Sequence, residues 1–172
     1  MSKGASFRQP FTRPIAEWIL APNLRLVRVL NSGIRSYCEL VGLQDWACAR
    51  IELAVEGVFA YCARTLKAQC RPGEPIHVRL YHESGILRIE ISHEGQGGEY
   101  DACLDPTPSF ELRRTSFEAM GLYIAREMLD GLTHDYRWDI TAQANLNRYI
   151  LTWKFGLPEG AEEPQEESPT CG

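Results

Sequence analysis

The segment Ile51 to Arg64, IELAVEGVFAYCAR, decides the reading of this chain. Followed outward, Trp46, Ala49, Leu53, Val58, Ala60 and Leu66 recur at helical steps, which predicts one long amphipathic helix. Asp45 is the expected N-cap, and the Arg71-Pro72-Gly73 turn is the expected stop. Inside this helix Glu56, Ala60 and Arg64 stand four residues apart, so they share one face.

On the N-terminal side, Leu24, Val27, Leu30, Ile34, Cys38 and Val41 repeat at three- and four-residue steps and predict an earlier helix ending near Gly42. On the C-terminal side the period changes to two. Ile76, Val78 and Leu80, then Leu87, Ile89 and Ile91, alternate with polar residues across His82-Glu83-Ser84-Gly85, the signature of a β-hairpin. A connection rich in glycine and proline runs from Gly95 to Pro108, and a third helix is expected over Phe117 to Leu129, with Met120, Ile124 and Met128 on one face. Two further strands are expected over Thr133 to Thr141 and Asn147 to Phe155. The order of elements predicts an α+β sandwich, with helices on one face of a mixed, mainly antiparallel sheet.

The chain has 172 residues, 44% hydrophobic and 24% charged, enough for one domain with a sizeable core. A formal net charge of −5 gives no electrostatic footprint for nucleic acid. No apolar run approaches the ~20 residues of a membrane span, and the start of the chain lacks the apolar core of a secretory signal, so a cytoplasmic protein is expected. Six cysteines, Cys38, Cys48, Cys62, Cys70, Cys103 and Cys171, show no metal-ligand spacing, nor do the four histidines, so no metal site is expected. Residues 1–22, with three prolines and the short apolar run WILA, read as an arm or small extra helix. Residues 158–172 are acidic and proline-bearing and read as a disordered tail, which leaves 23–157 as the working domain.

Three segments in order, IELAVEGVFAYCAR, ISHEGQGGEYD and AMGLYIAREMLD, resemble the anti-sigma factor/serine protein kinase branch (RsbW/SpoIIAB-like) of the ATPases shared by histidine kinases, gyrases and the ninety-kilodalton heat-shock chaperones. That resemblance implies ATP and magnesium as cofactors and partner switching as the activity. It also implies a site whose residues can be matched one by one. Glu56 stands where the family has its catalytic glutamate, which polarises a serine hydroxyl or water. Ala60 stands at the magnesium-binding asparagine, and Arg64 at a histidine. His93 replaces the aspartate that accepts from the adenine amino group, while Gly95 and Gly97 keep the glycine turn after it. Ala119 and Gly121 stand at the two glycines whose backbone cradles phosphate.

Arg113 and Arg114 lie just upstream as candidate phosphate neighbours. The changes at Ala60, His93 and Ala119 touch metal, base and phosphate separately, so the ATP site reads as degenerate.

The function implied is an anti-sigma-factor-type regulator, often dimeric, that binds a sigma factor or an anti-sigma factor antagonist, with ATP binding weak or lost. Two alternatives stand beside it: an active ATP-dependent serine kinase acting on the antagonist, and a sensor or scaffold domain with no sigma factor. Arg25, Arg28 and Arg35 on the first helix are the expected docking surface for an acidic partner.

Overall fold

A computed structural model of the chain describes residues 13–104, 117–141 and 143–155. Residues 1–12, Arg113 and Arg114, and the acidic tail expected over 158–172 lie outside the described residues.

The first element is a strand, β1 (Ala16–Leu20), which falls in the stretch read as an arm or small helix. Its residues alternate between half-buried and exposed, and it pairs antiparallel with β2 (Ile76–Glu83), Trp18 lying opposite Val78. Trp18 packs on Gly33 in the middle of helix α1 (Val27–Leu40). A Cβ at Gly33 would lie 2.7 Å from the indole, which explains a glycine at a position where it costs helix stability. Val27, Leu30, Ile34 and Cys38 form the buried stripe of α1, as their spacing predicts. The helix is led by a 3-10 turn over Leu24–Leu26, where the Asn23 side chain accepts from the Arg25 N–H. Gly42, at φ +80°, turns the chain out of the helix.

Helix α2 (Asp45–Ala68) is the 24-residue spine of the domain. Gln44 occupies its N-cap position and makes no side-chain capping bond. Asp45 is the first helical residue, so its carboxylate acts on the helix dipole rather than as the cap. Hairpin β2–β3 (β3, Ile86–Glu94) turns through Ser84 and Gly85, both at positive φ, the two-residue geometry that matches strand twist. A 3-10 turn over Asp101–Leu104 follows, then α3 (Phe117–Met128), β4 (Gly131–Asp139) and β5 (Ala144–Lys154).

The sheet order is β1-β2-β3-β5-β4, and every pairing among the described strands is antiparallel. The molecule is an α+β sandwich with its core between the sheet and the helices. Leu30, Ile34, Val55, Phe59, Ile76 and Ile91 are buried there without measurable exposure.

Where α2 meets α3 the backbones come close. A Cβ at Gly57 would sit 3.0 Å from the Gly121 carbonyl oxygen, so this crossing depends on the missing side chain. A second tie joins α1 to α2, Arg35 donating to both oxygens of Glu52 at 2.8 and 2.7 Å. The Glu52 carboxylate holds the guanidinium even more firmly protonated than usual. Arg35 is therefore a clamp between helices, whereas Arg25 and Arg28 are exposed as expected.

Candidate functional site

Helical spacing places Glu56, Ala60 and Arg64 along one side of α2, with Glu56 exposed and the other two half-buried. Together with Gly121 and Ile124 of α3 and Leu24 ahead of α1, they line a cavity of about 240 Å³. The first and third sequence motifs thus meet in space through Glu56, Ala60 and Gly121. Ala119 lies inside the first turns of α3, two residues before Gly121. A larger cavity of about 590 Å³ adjoins it, sharing Tyr61 and Arg64 and walled by the glycine turn from Gln96 to Tyr100, Gly97 included.

His93 and Gly95 line neither cavity. His93 is 1% exposed. Its Nδ1 lies 3.1 Å from the Glu94 carbonyl, which fits an Nδ1–H donor, and its buried Nε2 meets no partner. Burial lowers its pKa below the ordinary 6.5, so the ring is neutral at physiological pH. The ring is turned inward and lies parallel to Tyr149, centroid to centroid 6.3 Å.

Behind the glycine turn a polar cluster gathers on Asp101. Its Oδ1 accepts from the Tyr149 hydroxyl at 2.7 Å and from Tyr61 at 3.0 Å, and its Oδ2 accepts from the Gly98 N–H at 2.7 Å. His134 Nε2 lies 3.5 Å from the same Oδ2, and its ring stacks on Tyr149 at 4.7 Å. The Tyr61 oxygen accepts in turn from the Tyr100 N–H at 3.0 Å. Asn147, fully buried on β5, donates to the carbonyls of Gly95 and Gln96 at 2.9 and 3.2 Å. Burial, reinforced by the Asp101 charge, raises both phenols far above the ordinary tyrosine value, so they remain donors.

These bonds account for the glycines. Gly95 has φ +127°, a conformation other residues rarely adopt, and a Cβ there would meet Gln69 Oε1 at 2.8 Å. A Cβ at Gly98 would overlap the Tyr61 hydroxyl. Gln69, at the end of α2, grips the turn from outside: its Nε2 donates to Gln96 O at 2.8 Å, and its Oε1 accepts from Gln96 N–H at 3.1 Å. The turn is held from both sides by the chain itself.

The chemistry of the matched positions follows from this arrangement. Ala60 brings no oxygen to a metal. His93 turns its ring into the core, and the Gly98 N–H is committed to Asp101. Tyr61, Asp101, His134, Asn147 and Tyr149 form a group that no sequence motif marks. They come from α2, the 3-10 turn, β4 and β5, and no spacing rule connects them.

No family model matches the chain, and no curated sequence does. Among solved structures it is similar to the RsbU and RsbW domains of Rv1364c from Mycobacterium tuberculosis, at 14% identity and TM-score 0.56, over 83% of this chain and 32% of that one. The chain thus spans about a third of that longer protein. It is also similar to a chain of the SiaB–SiaC complex from Pseudomonas aeruginosa, at 7% identity and TM-score 0.62, over 81% of this chain and 91% of that one. At these identities the likeness is one of fold, and the α+β sandwich described above is the fold that the chain shares with them.

Proposed function

We propose that the chain is a partner-switching regulator of the anti-sigma type, which binds a sigma factor or an anti-sigma factor antagonist while ATP binding is weak or lost. One observation carries the reading: the space behind the glycine turn is filled by the Asp101 cluster, with His93 buried against it. A nucleotide base at the matched position would have to displace buried hydrogen bonds to a carboxylate, each worth about 1.5–3 kcal/mol. The similar structures support a regulatory role through protein partners, one containing an RsbW domain and the other being a protein complex. The exposed arginines Arg25 and Arg28 suit an acidic partner surface.

The kinase reading has its own support, since Glu56 lies on the 240 Å³ cavity beside Gly121. Calorimetric titration with magnesium and ATP separates the two. Binding weaker than about 100 µM, or none, is the expected result, and a dissociation constant near 1 µM would overturn it in favour of the kinase. Capture of partners from the native host, followed by mass spectrometry, tests the other half. Recovery of a sigma factor or an antagonist is expected, and recovery of neither leaves the sensor or scaffold reading.

A further inference from the structure

The sheet ends on two unequal edges. β1 has five residues between Pro14 and Pro22, and its Glu17 is tied to Arg79 at 2.7 Å. Shortness, proline and charge are ordinary means of blunting an edge against further pairing. β4 has nine residues and no proline, and among the described strands it pairs on one side only, with β5. Its outer row of N–H and C=O groups can receive another strand.

The side chains of β4 separate cleanly by face. Leu132 is buried toward the helices and His134 stacks on core Tyr149, so Tyr136 and Trp138 share that face. Tyr136 is 48% exposed, Trp138 59%, and Ile140, just past the strand, 82%. The opposite face carries Thr133, Asp135, Arg137 and Asp139.

We propose that β4 pairs antiparallel with β4 of a second copy of this chain, about a two-fold axis through Tyr136, joining two five-stranded sheets edge to edge. The register follows from charge. About Tyr136, Asp135 faces Arg137 of the second copy and Arg137 faces Asp135, so two opposite-charge pairs form at once. On the other face Tyr136 meets Tyr136, Trp138 meets His134, and Ile140 meets Leu132. Centring on Asp135 or on Arg137 sets like charges face to face, and a slip by one residue sets the apolar face against the polar one. Centring on Trp138 also pairs Arg137 with Asp139, but β4 ends at Asp139, so only three strand residues would be joined. Asp135 uses Oδ2 for Arg148 at 2.7 Å, which leaves Oδ1 for the second copy. The pairing covers Tyr136, Trp138 and Ile140, the large apolar side chains that this edge leaves in water.

Sedimentation of the full chain tests the proposal. The wild-type protein should be a dimer. Arg137→Asp should weaken self-association by about 100-fold, because it creates two like-charge pairs per dimer. Asp135→Arg should do the same, and an equimolar mixture of the two variants should recover the dimer, since every facing pair is again of opposite sign. In a Cys70→Ser, Cys103→Ser, Cys171→Ser background, Tyr136→Cys should cross-link on mild oxidation and Thr133→Cys should not, because only position 136 faces itself. A wild-type monomer overturns the proposal, whether or not β4 accepts a strand from another protein. So does a dimer unmoved by Arg137→Asp, or a mixture that stays monomeric while both variants are folded by circular dichroism. Should Asp135→Arg fail to fold, the cross-link decides: no Tyr136→Cys dimer means no pairing at this register.

Discussion

At position 93 the aspartate that the sequence resemblance implies and the histidine of this chain would ask opposite things of the same space. A carboxylate placed there would be buried, within the influence of Asp101, and lined by Tyr149 rather than by solvent. His93→Asp, alone or joined to Ala60→Asn, should therefore give no magnesium-dependent ATP binding by calorimetry and should lower unfolding stability by on the order of 3 kcal/mol. A double variant that binds ATP at wild-type stability would show that the pocket is open. The neutral imidazole also has a pH signature. Its folded pKa lies below the ordinary 6.5, so under that pH the unfolded chain takes up a proton that the folded chain refuses. Its stabilising contribution is thus present above about pH 6.5 and fades as pH falls toward the lowered folded value. Asp101, His134 and Arg71 share this environment, the first favouring and the other two opposing protonation. Urea unfolding between about pH 7 and about pH 5 should show the decline, and His93→Gln should flatten it. An unchanged slope in the variant would assign the pH dependence to another group.

The crossing of α2 and α3 shows how two glycines in one seam differ. Gly57→Ala drives a methyl to 3.0 Å from the Gly121 carbonyl, part of a helix backbone that moves only as a whole. The reverse change, Gly121→Ala, meets Gly57 at 3.8 Å, an ordinary contact. Gly57→Ala should cost about 1 kcal/mol net, whereas Gly121→Ala should be neutral or stabilising by up to about 1 kcal/mol through helix propensity. Equal melting temperatures for the two variants would contradict this asymmetry. Elements of this kind were legible in the sequence wherever one local rule governed them. The stripe of α1 follows from the spacing of Leu30, Ile34 and Cys38, and the β2–β3 turn from Ser84-Gly85. β1 was missed because five residues between prolines carry too short an alternation to separate a strand from an arm. The Asp101 cluster was illegible for a different reason. Tyr61 and Tyr149 are distant in sequence and meet only because β5 threads between β3 and β4, so packing rather than pattern brings them together. The glycines after His93 are plain in the sequence, but what they make room for, Gln69, Asp101 and Tyr61, is set by packing.

At the scale of the molecule, the described residues expose a cationic stretch, Arg25 and Arg28, at the start of α1. Replacing Arg25 and Arg28 by glutamate should slow capture of an acidic partner and reduce its salt dependence, with stability changed by less than about 0.5 kcal/mol, since both are exposed. Arg35 is left out of that test because its loss would unclamp α1 from α2. Association rates measured across a salt series would sink the surface assignment if the charge-reversed protein matched the wild type. The position of β5 bears on a different matter, the time course of folding. β5 is the last described strand in the chain and yet lies inside the sheet, hydrogen-bonded to β3 and to β4 at once. A nascent chain holding only the elements up to β4 has a hairpin with β1 on one side and a lone strand on the other, and nothing between them. Closure of the domain must wait until Lys154 has left the ribosome tunnel, and during translation the exposed edge of β3 is the surface that a chaperone would have to guard.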